Sequence, residues 1–208
     1  MTQIAEKQEI PQTFTDFMRK LFKGVLDPIG TFLNQIGLTP NTMTLIGLAG
    51  NAVGAVFLAR GNMVAGGLII LVMAPIDALD GTMARLRGEP STFGAFIDSV
   101  TDRYAELITF LALLYHFHQS GNLLAILLTY LAAAGSVLVS YVRARAEALE
   151  YDAKVGILTR LERYFVLLPS LIFNIPVIGV GIIALLANIT ALQRILYVRK
   201  QAHLEMKK

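Results

Sequence analysis

Six apolar stretches, each about as long as a membrane-spanning helix, follow one another along this chain of 208 residues. A bilayer takes roughly 20 apolar residues to cross as a helix, and its hydrocarbon core admits only helices and closed barrels. Because 55% of the residues are hydrophobic and only 16% are charged, a soluble domain is excluded. We predict an all-α integral membrane protein with six transmembrane helices at about 42–60, 63–84, 93–117, 122–148, 159–176 and 177–199.

A shorter amphipathic segment precedes the predicted spans. Between residues 13 and 37, apolar side chains recur every three or four positions, and Arg19, Lys20 and Lys23 lie off this stripe. The pattern predicts a helix that lies in the membrane interface or, equally well, one that packs on the protein itself. The chain is thereby divided into a tail at 1–12, a juxtamembrane helix at 13–37, a membrane domain at 38–200 and a tail at 201–208.

Lysine and arginine are distributed unevenly between the two sides of the predicted membrane domain. The connections near residues 61, 119 and 175 hold almost none beyond Arg60, whereas both ends and the other connections are basic. Positive charge marks the cytoplasmic side, so we expect a multi-pass protein of the cell membrane with both termini in the cytoplasm. This pattern accounts for the net charge of +3, which therefore does not indicate a nucleic-acid partner. The absence of cysteine excludes disulfides and thiol catalysis.

Four aspartates stand around the second connection, in stretches apolar enough to enter the bilayer. Carboxylates at membrane depth are costly and usually mark a pathway or an active site. Members of each pair are three or four residues apart, so each pair projects from one face of a helix. One or two divalent cations would relieve the repulsion between facing carboxylates, and aspartate oxygens suit magnesium, with manganese as the alternative. The four residues are Asp77, Asp80, Asp98 and Asp102.

The aspartates belong to a longer pattern, D-x2-D-G-x2-A-R-x8-G-x3-D-x3-D, which begins at Asp77 and ends at Asp102. It resembles the signature of the CDP-alcohol phosphotransferases, integral membrane enzymes of phospholipid synthesis. The resemblance covers residues 38 to 200. It implies that CDP-diacylglycerol or CDP-archaeol donates its lipid phosphate to an alcohol, with release of CMP. It also implies a homodimer among membrane lipids, two magnesium ions held by the four aspartates, and Asp102 as the base that deprotonates the acceptor hydroxyl.

The same resemblance implies a set of contacts to the CDP-lipid. A glycine at position 81 would let the nucleotide approach the helix backbone, and Arg85 offers a planar fork for phosphate oxygens. The stretch from Thr39 to Thr44 is also a helix start, with Pro40 in the first turn and Thr39 or Asn41 as the cap. The implied contacts are Asn41, Thr44, Gly81, Arg85, Ser91 and Gly94.

Four arginines bear on the identity of the acceptor. Cytoplasmic positive charge alone would explain three of them, whereas an arginine within the last span is expected to face the protein interior or to reach an interface. Converging arginines suit a phosphate monoester, and their sequence context resembles the branch of the family that joins inositol 1-phosphate to a CDP-lipid. Glycerol 3-phosphate also carries a phosphate and stays the alternative acceptor. The arginines are Arg143, Arg145, Arg163 and Arg194.

A cation-coupled transporter is the main alternative to an enzyme, because transporters also keep carboxylates in the membrane. Transporters more often have inverted repeats, broken helices and charges near the bilayer midplane. This chain shows no clear inverted repeat and no clear broken helix, and its aspartates lie near one face of the membrane. The sequence therefore favours a phosphotransferase.

Overall fold

In the computed structural model, the backbone is described for residues 14–88 and 91–206, and the side chains for residues 23–76, 78–88 and 91–206. These residues form seven α-helices, and none of them lies in a β-strand. The helices are α1 (Phe14–Gln35), α2 (Pro40–Ala59), α3 (Met63–Leu86), α4 (Thr92–Gln119), α5 (Leu123–Glu147), α6 (Arg160–Ile172) and α7 (Pro176–Glu205).

Four of these helices, α2, α3, α5 and α7, are long and apolar enough to cross a membrane. The prediction of an all-α membrane protein is confirmed at this level. Helix α4 is also long, with 28 residues, but its first half carries several charged side chains. Helix α6 has 13 residues, fewer than a bilayer crossing takes.

The last two helices are separated where the sequence predicted a break. Helix α6 ends at Ile172, Asn174 has a positive φ of 57°, and α7 begins at Pro176. Proline is favoured in the first turn of a helix because the N–H groups there form no hydrogen bond within the helix, so the absence of one costs nothing. Helix α7 continues to Glu205, into the segment expected as a C-terminal tail.

Polar side chains fix the starts of the helices that lead to the aspartates. At the start of α2, the hydroxyl of Thr39 accepts a hydrogen bond from the backbone N–H of Thr42 at 3.2 Å, and Pro40 is the first helical residue. At the start of α4, the hydroxyl of Ser91 accepts from the N–H of Gly94 at 2.8 Å. The two caps therefore set where α2 and α4 begin.

Glycines let α2 and α3 approach each other closely. A Cβ atom on Gly54 would lie 3.2 Å from the carbonyl oxygen of Gly66, and one on Gly50 would lie 2.0 Å from the sulfur of Met73. A side chain at position 54 would press on the backbone of α3, and one at position 50 would have to displace the side chain of Met73. The four-residue spacing of Gly50 and Gly54 is the small-residue pattern typical of closely packed membrane helices.

A small apolar cluster joins α1 to α2 and to α3, the helix that carries the first aspartate pair. It consists of Met43 of α2 and Leu79 and Met83 of α3, against which Leu26 and Leu33 of α1 pack. The larger core contains buried side chains from each of the six helices α2 to α7. Asp80, between Leu79 and Met83, therefore lies beside the smaller cluster, at the end of α3 on which α1 packs.

Candidate active site

Two of the four predicted aspartates are buried, one near the end of α3 and one on α4. Asp80 lies on α3 and Asp102 on α4, and each residue is only 6% exposed. Asp98, one turn before Asp102, is half-buried. The side chain of Asp77 lies outside the described residues. Two buried carboxylates on neighbouring helices are thus a feature of this end of the bundle.

Asp80 is held by the start of α2. The hydroxyl of Thr44, which is itself buried, lies 2.5 Å from Oδ2 of Asp80. The backbone N–H of Gly81 donates to the other carboxylate oxygen. Hydrogen bonds to both oxygens stabilise the ionised carboxylate in a fixed orientation. Helix α2 therefore contributes to the site through Thr44.

Gly94 marks a close approach between the starts of α2 and α4. A Cβ atom on Gly94 would lie 2.8 Å from the hydroxyl oxygen of Ser91 and 3.9 Å from Oδ1 of Asn41. Asn41 is exposed at the start of α2, so its amide borders the space in front of Gly94. Three of the residues expected to contact the CDP-lipid therefore lie together.

Arg85 lies one turn beyond Gly81 on α3 and is exposed. Its Nη2 donates to the hydroxyl of Thr82 at 2.9 Å, and a Cβ atom on Gly81 would lie 3.4 Å from its Nη1. The guanidinium thus lies along the helix beside the glycine, where both would meet a phosphate approaching α3.

Asp102 forms ion pairs with two arginines. Nη1 of Arg160, at the start of α6, contacts Oδ2 of Asp102, and Nη1 of Arg103 lies 3.7 Å from the same oxygen. The guanidinium of Arg160 also lies over the ring of Tyr164, 5.5 Å from its centroid. The residue expected to act as the base is therefore held by positive charge from α6.

One turn further along α4, Glu106 forms a second pair with α6. Its two oxygens accept from Nε of Arg163 at 2.6 Å and from Nη2 at 3.0 Å. Arg163 is only 2% exposed and Glu106 is 7% exposed. This geometry is the bidentate pairing that gives arginine and carboxylate their most specific contact.

Arg194 has protein partners as well. From its buried position on α7, its Nη1 donates to the carbonyl oxygen of Val139 on α5 at 2.6 Å. Its Nε donates at 2.8 Å to the carbonyl oxygen of Val155, in the connection between α5 and α6. In the same connection, the N–H of Leu158 donates to the hydroxyl of Thr190 at 3.0 Å. Arg194 thus fastens this connection to α7.

The other two arginines that were predicted to bind the acceptor phosphate lie at the protein surface. Arg143 and Arg145 are both exposed near the end of α5, and Nε of Arg143 pairs with Oε1 of Glu147 at 2.9 Å. An exposed pair of this kind contributes at most about 1 kcal/mol, so it competes weakly with a phosphate. The four arginines therefore divide into two exposed and two buried residues.

The sequence model of the CDP-alcohol phosphatidyltransferase family matches residues 37–197. The chain belongs to this family. It is accordingly an enzyme, a CDP-alcohol phosphotransferase, as the aspartate pattern predicted.

Relatives of this transferase share most of its length. It is 36% identical over 185 residues to the archaetidylinositol phosphate synthase of Pyrococcus horikoshii, over 88% of this chain and 96% of that protein. Its fold is similar to that of the phosphatidylinositol phosphate synthase of Mycobacterium tuberculosis crystallised with CDP-DAG bound. That match has a TM-score of 0.78 and 30% identity over 84% of this chain and 93% of that chain. The same synthase in complex with manganese and citrate matches with a TM-score of 0.77 and 28% identity, over 83% and 88% of the two chains.

The donor groups of this transferase suit a hard divalent cation. Among the described side chains, no three acidic or histidine groups lie close enough together to hold an ion. Asp77, one of the four expected ligands, is outside that set. The buried carboxylates of Asp80 and Asp102 nevertheless supply oxygen ligands from two helices, and such ligands fit magnesium or manganese.

Sequence reasoning did not identify Arg160 and Glu106 as site residues. In the sequence, nothing distinguishes Arg160 from the other basic residues of the predicted cytoplasmic side. Glu106 follows Asp102 by four residues, just as Asp102 follows Asp98, so it extends the acidic face of α4 by one turn. That spacing was the available signal. The partner of each residue depends on how α6 packs against α4. The spacing of residues within α4 carries no information about that packing.

Proposed function

We propose that this transferase moves a phosphatidyl or archaetidyl group from a CDP-linked lipid to inositol 1-phosphate, releasing CMP. The observation that carries the proposal is the burial of two motif carboxylates, Asp80 and Asp102, on the two consecutive helices that bear the family motif. The relatives support the acceptor, because proteins that match nearly the whole chain are named as inositol phosphate lipid synthases.

The four motif aspartates, Asp77, Asp80, Asp98 and Asp102, would hold two divalent ions, magnesium or manganese. When bound, such ions neutralise the negative charge that develops on the pyrophosphate as CMP leaves. The manganese complex of the Mycobacterium tuberculosis synthase supports a divalent ion. The contact from Thr44 holds Asp80 in one orientation for this role.

In the proposed reaction, Asp102 takes the proton of the acceptor hydroxyl. The hydroxyl oxygen then forms a bond to the lipid-linked phosphorus, and the bond from that phosphorus to the bridging oxygen of CMP breaks. CMP leaves with the electron pair of that bond. A base within hydrogen-bond reach of a hydroxyl typically contributes about 100- to 10,000-fold to the rate. Arg160 orients the Asp102 carboxylate through the observed ion pair.

The proposed nucleotide site lies between the starts of α2 and α4 and the end of α3. Gly81 and Gly94 give the nucleotide access to the backbone, and Arg85 is exposed toward an incoming phosphate. Polar groups at the two capped starts complete the site. They are Asn41, Thr44 and Ser91.

We assign direct contact with the acceptor phosphate to Arg143 and Arg145, because both guanidinium groups are exposed. Arg163 and Arg194 were expected to share this role. Their observed partners, Glu106 and the carbonyl oxygens of Val139 and Val155, favour a supporting one. Two arginines would bind the phosphate monoester of inositol 1-phosphate or of glycerol 3-phosphate equally well, so they do not distinguish the two acceptors.

In the membrane, we propose six crossings: the four apolar helices, α4, and the segment 159–176, of which α6 is the helical part. Charge distribution supports a cytoplasmic active site and cytoplasmic termini in the cell membrane. Helix α1 lies in the interface: Val25, Ile29 and Phe32 are exposed on one of its faces, while its opposite face packs on the protein. The enzyme acts as a homodimer, by resemblance to its family.

The proposal is tested with purified protein in detergent, CDP-diacylglycerol and magnesium. Inositol 1-phosphate and glycerol 3-phosphate are offered separately, and CMP release is measured. We expect release with inositol 1-phosphate alone, and none when magnesium is chelated. Release with glycerol 3-phosphate alone would overturn the acceptor assignment and leave the aspartate chemistry intact. A repeat with CDP-archaeol decides between the two lipid donors.

A further inference from the structure

The connection between α5 and α6, residues 148–159, forms neither helix nor strand and is held by α7. Backbone polar groups outside regular structure need other partners, and side chains of α7 supply several of them. Four residues of α7 contact the connection: Thr190, Arg194, Gln201 and Glu205. Because they are four, seven and four positions apart, they lie on one face of the helix.

Gln201 and Glu205 form the outer part of this face and are here called the clasp. Oε1 of Gln201 accepts from the backbone N–H of Asp152 at 3.1 Å, and its Nε2 donates to the carbonyl oxygen of Asp152 at 2.6 Å. The phenol of Tyr151 donates to Oε2 of Glu205 at 2.8 Å. Both clasp residues follow position 197, where the match to the family model ends, so the family resemblance assigns them no role.

Tyr151 links the clasp to the end of α5. Its backbone N–H donates to the carbonyl oxygen of Ala146 at 3.0 Å, and the N–H of Leu149 donates to the same oxygen at 2.9 Å. Ala146 is buried in the last turn of α5 and directly follows Arg145. Tyr151 is thus held by the end of α5 through its backbone and by the end of α7 through its side chain. The clasp therefore restrains the turn of α5 that carries Arg145.

This restraint bears on acceptor binding, because Arg143 and Arg145 are both exposed near the end of α5. The last carbonyl groups of a helix have no partner within it, so the contacts of its final turn come from elsewhere. A binding site that is held in place before the ligand arrives loses less freedom on binding. If only a fraction of the molecules has the end of α5 in place, the apparent affinity falls by that fraction.

We infer that Gln201 and Glu205 are positioning residues, which set the affinity for the acceptor by holding the arginine-bearing end of α5. This inference rests on the proposed function, since it takes Arg143 and Arg145 as the contacts to the acceptor phosphate. The proposed CDP-lipid site lies at the starts of α2 and α4 and the end of α3. Loss of the clasp should therefore weaken binding of the acceptor and leave that of the CDP-lipid unchanged.

The test uses the double variant Gln201→Ala/Glu205→Ala, which removes all three hydrogen bonds. Neither residue is buried, so no buried group loses its partner side chain and the fold should persist. A typical hydrogen bond shifts an equilibrium by about three- to tenfold. We expect the Michaelis constant for inositol 1-phosphate to rise by about that factor, with kcat and the Michaelis constant for the CDP-lipid near the wild type. Hydrogen exchange at residues 149–152 should be faster.

The matched control is Arg199→Ala/His203→Ala. Both residues are exposed on the last turns of α7, and at about 3.6 residues per turn they lie on the side opposite the clasp. This variant removes two polar side chains from the same part of the helix without touching the connection. It should keep the wild-type Michaelis constants for both substrates and the wild-type hydrogen exchange.

A double-mutant cycle tests the contact between Tyr151 and Glu205 by itself. Tyr151→Phe and Glu205→Ala remove the same hydrogen bond from its two ends. Combining them should therefore raise the Michaelis constant for inositol 1-phosphate no further than either change alone. Fully additive increases would contradict the inference, because they would show that the two side chains act independently.

Three further results with the double clasp variant would overturn the inference. These are wild-type kinetics despite faster exchange, a lowered kcat with unchanged Michaelis constants, and equal increases in the Michaelis constants of both substrates. Wild-type protein is assayed in parallel with each acceptor. If it used only glycerol 3-phosphate, the acceptor assignment alone would fail, and the clasp would be tested with that acceptor. If it released no CMP with either, the proposed function would fail and this role with it.

Discussion

The hydroxyl of Thr44 on α2 lies 2.5 Å from Oδ2 of Asp80 on α3, and both residues are buried. Through this contact, the start of α2, which borders the proposed nucleotide site, is linked to a proposed metal ligand. Thr44 was expected from the family resemblance to contact the CDP-lipid. Its observed partner gives it a further role, which is to orient the carboxylate of Asp80.

Replacing Thr44 by valine should lower the activity without unfolding the protein. Valine has nearly the same shape, so the loss is that of one hydrogen bond to a charged group, about 1.5–3 kcal/mol. The expected result is a reduction of kcat/KM for the CDP-lipid by about tenfold or more, together with a higher magnesium requirement. Steady-state CMP release across a magnesium titration measures both quantities.

The matched control is Thr44→Ser, which keeps the hydroxyl and should stay near the wild type. Wild-type magnesium dependence in Thr44→Val would mean that the contact with Asp80 does not orient a metal ligand.

Asp102→Asn should abolish turnover while metal-dependent binding of the CDP-lipid persists. Asparagine keeps the size of the side chain but cannot accept a proton, so we expect kcat to fall by about 100- to 10,000-fold. Single-turnover CMP release gives the rate, and equilibrium binding of labelled CDP-lipid with and without magnesium gives the affinity.

Asp98→Asn is the informative comparison, because Asp98, one turn away, is proposed as a metal ligand only, whereas Asp102 is proposed as both a metal ligand and the base. It should weaken metal-dependent binding as well as turnover. Turnover at the wild-type rate in Asp102→Asn would rule out its role as the base.

Arg143→Ala and Arg145→Ala should each raise the Michaelis constant for inositol 1-phosphate. A charge-assisted hydrogen bond contributes about 1.5–3 kcal/mol, which corresponds to roughly a tenfold change or more. The Michaelis constant for the CDP-lipid should change little. Arg199→Ala, at an exposed arginine on α7, is the control. Equal changes for both substrates in the two α5 variants would indicate a structural role.

The spacing of residues in the sequence predicted the helices and the motif well. Helix α2 begins at Pro40, and glycines at positions 50 and 54 mark its contact with α3, because both features depend on neighbours along one helix. The same is true of the break before Pro176. Local rules of capping and periodicity are enough for such features.

Contacts between helices distant in sequence could not be predicted in this way. Positive charge near the membrane explained Arg163 as readily as a phosphate site did, and the chain gave no indication that Glu106, 57 positions earlier, would occupy it. Arg194 likewise bonds to backbone carbonyl oxygens of Val139 and Val155, which carry no sequence signal. Residue type identified the charges, and tertiary packing decided their partners.

The connection between α5 and α6 is predicted to loosen from the end of α7 at high pH. The phenol of Tyr151 donates to Oε2 of Glu205 at 2.8 Å, and this hydrogen bond to a carboxylate raises the pKa of Tyr151 above its ordinary value. A raised pKa in the folded state means that the contact stabilises the fold fully below the unfolded pKa of about 10. The stabilisation is then lost as the pH rises through the folded-state pKa.

NMR of protein with labelled tyrosine, titrated through the alkaline range, measures this effect. The midpoint of Tyr151, assigned with Tyr151→Phe, should lie above those of exposed tyrosines that have no carboxylate partner. In Glu205→Gln the carboxylate is absent, so the midpoint should move back down toward the ordinary value. Hydrogen exchange in the last turns of α7 should rise over the same pH range in the wild type, and should depend less on pH in Tyr151→Phe. An identical midpoint in wild type and Glu205→Gln would show that the contact does not persist in solution.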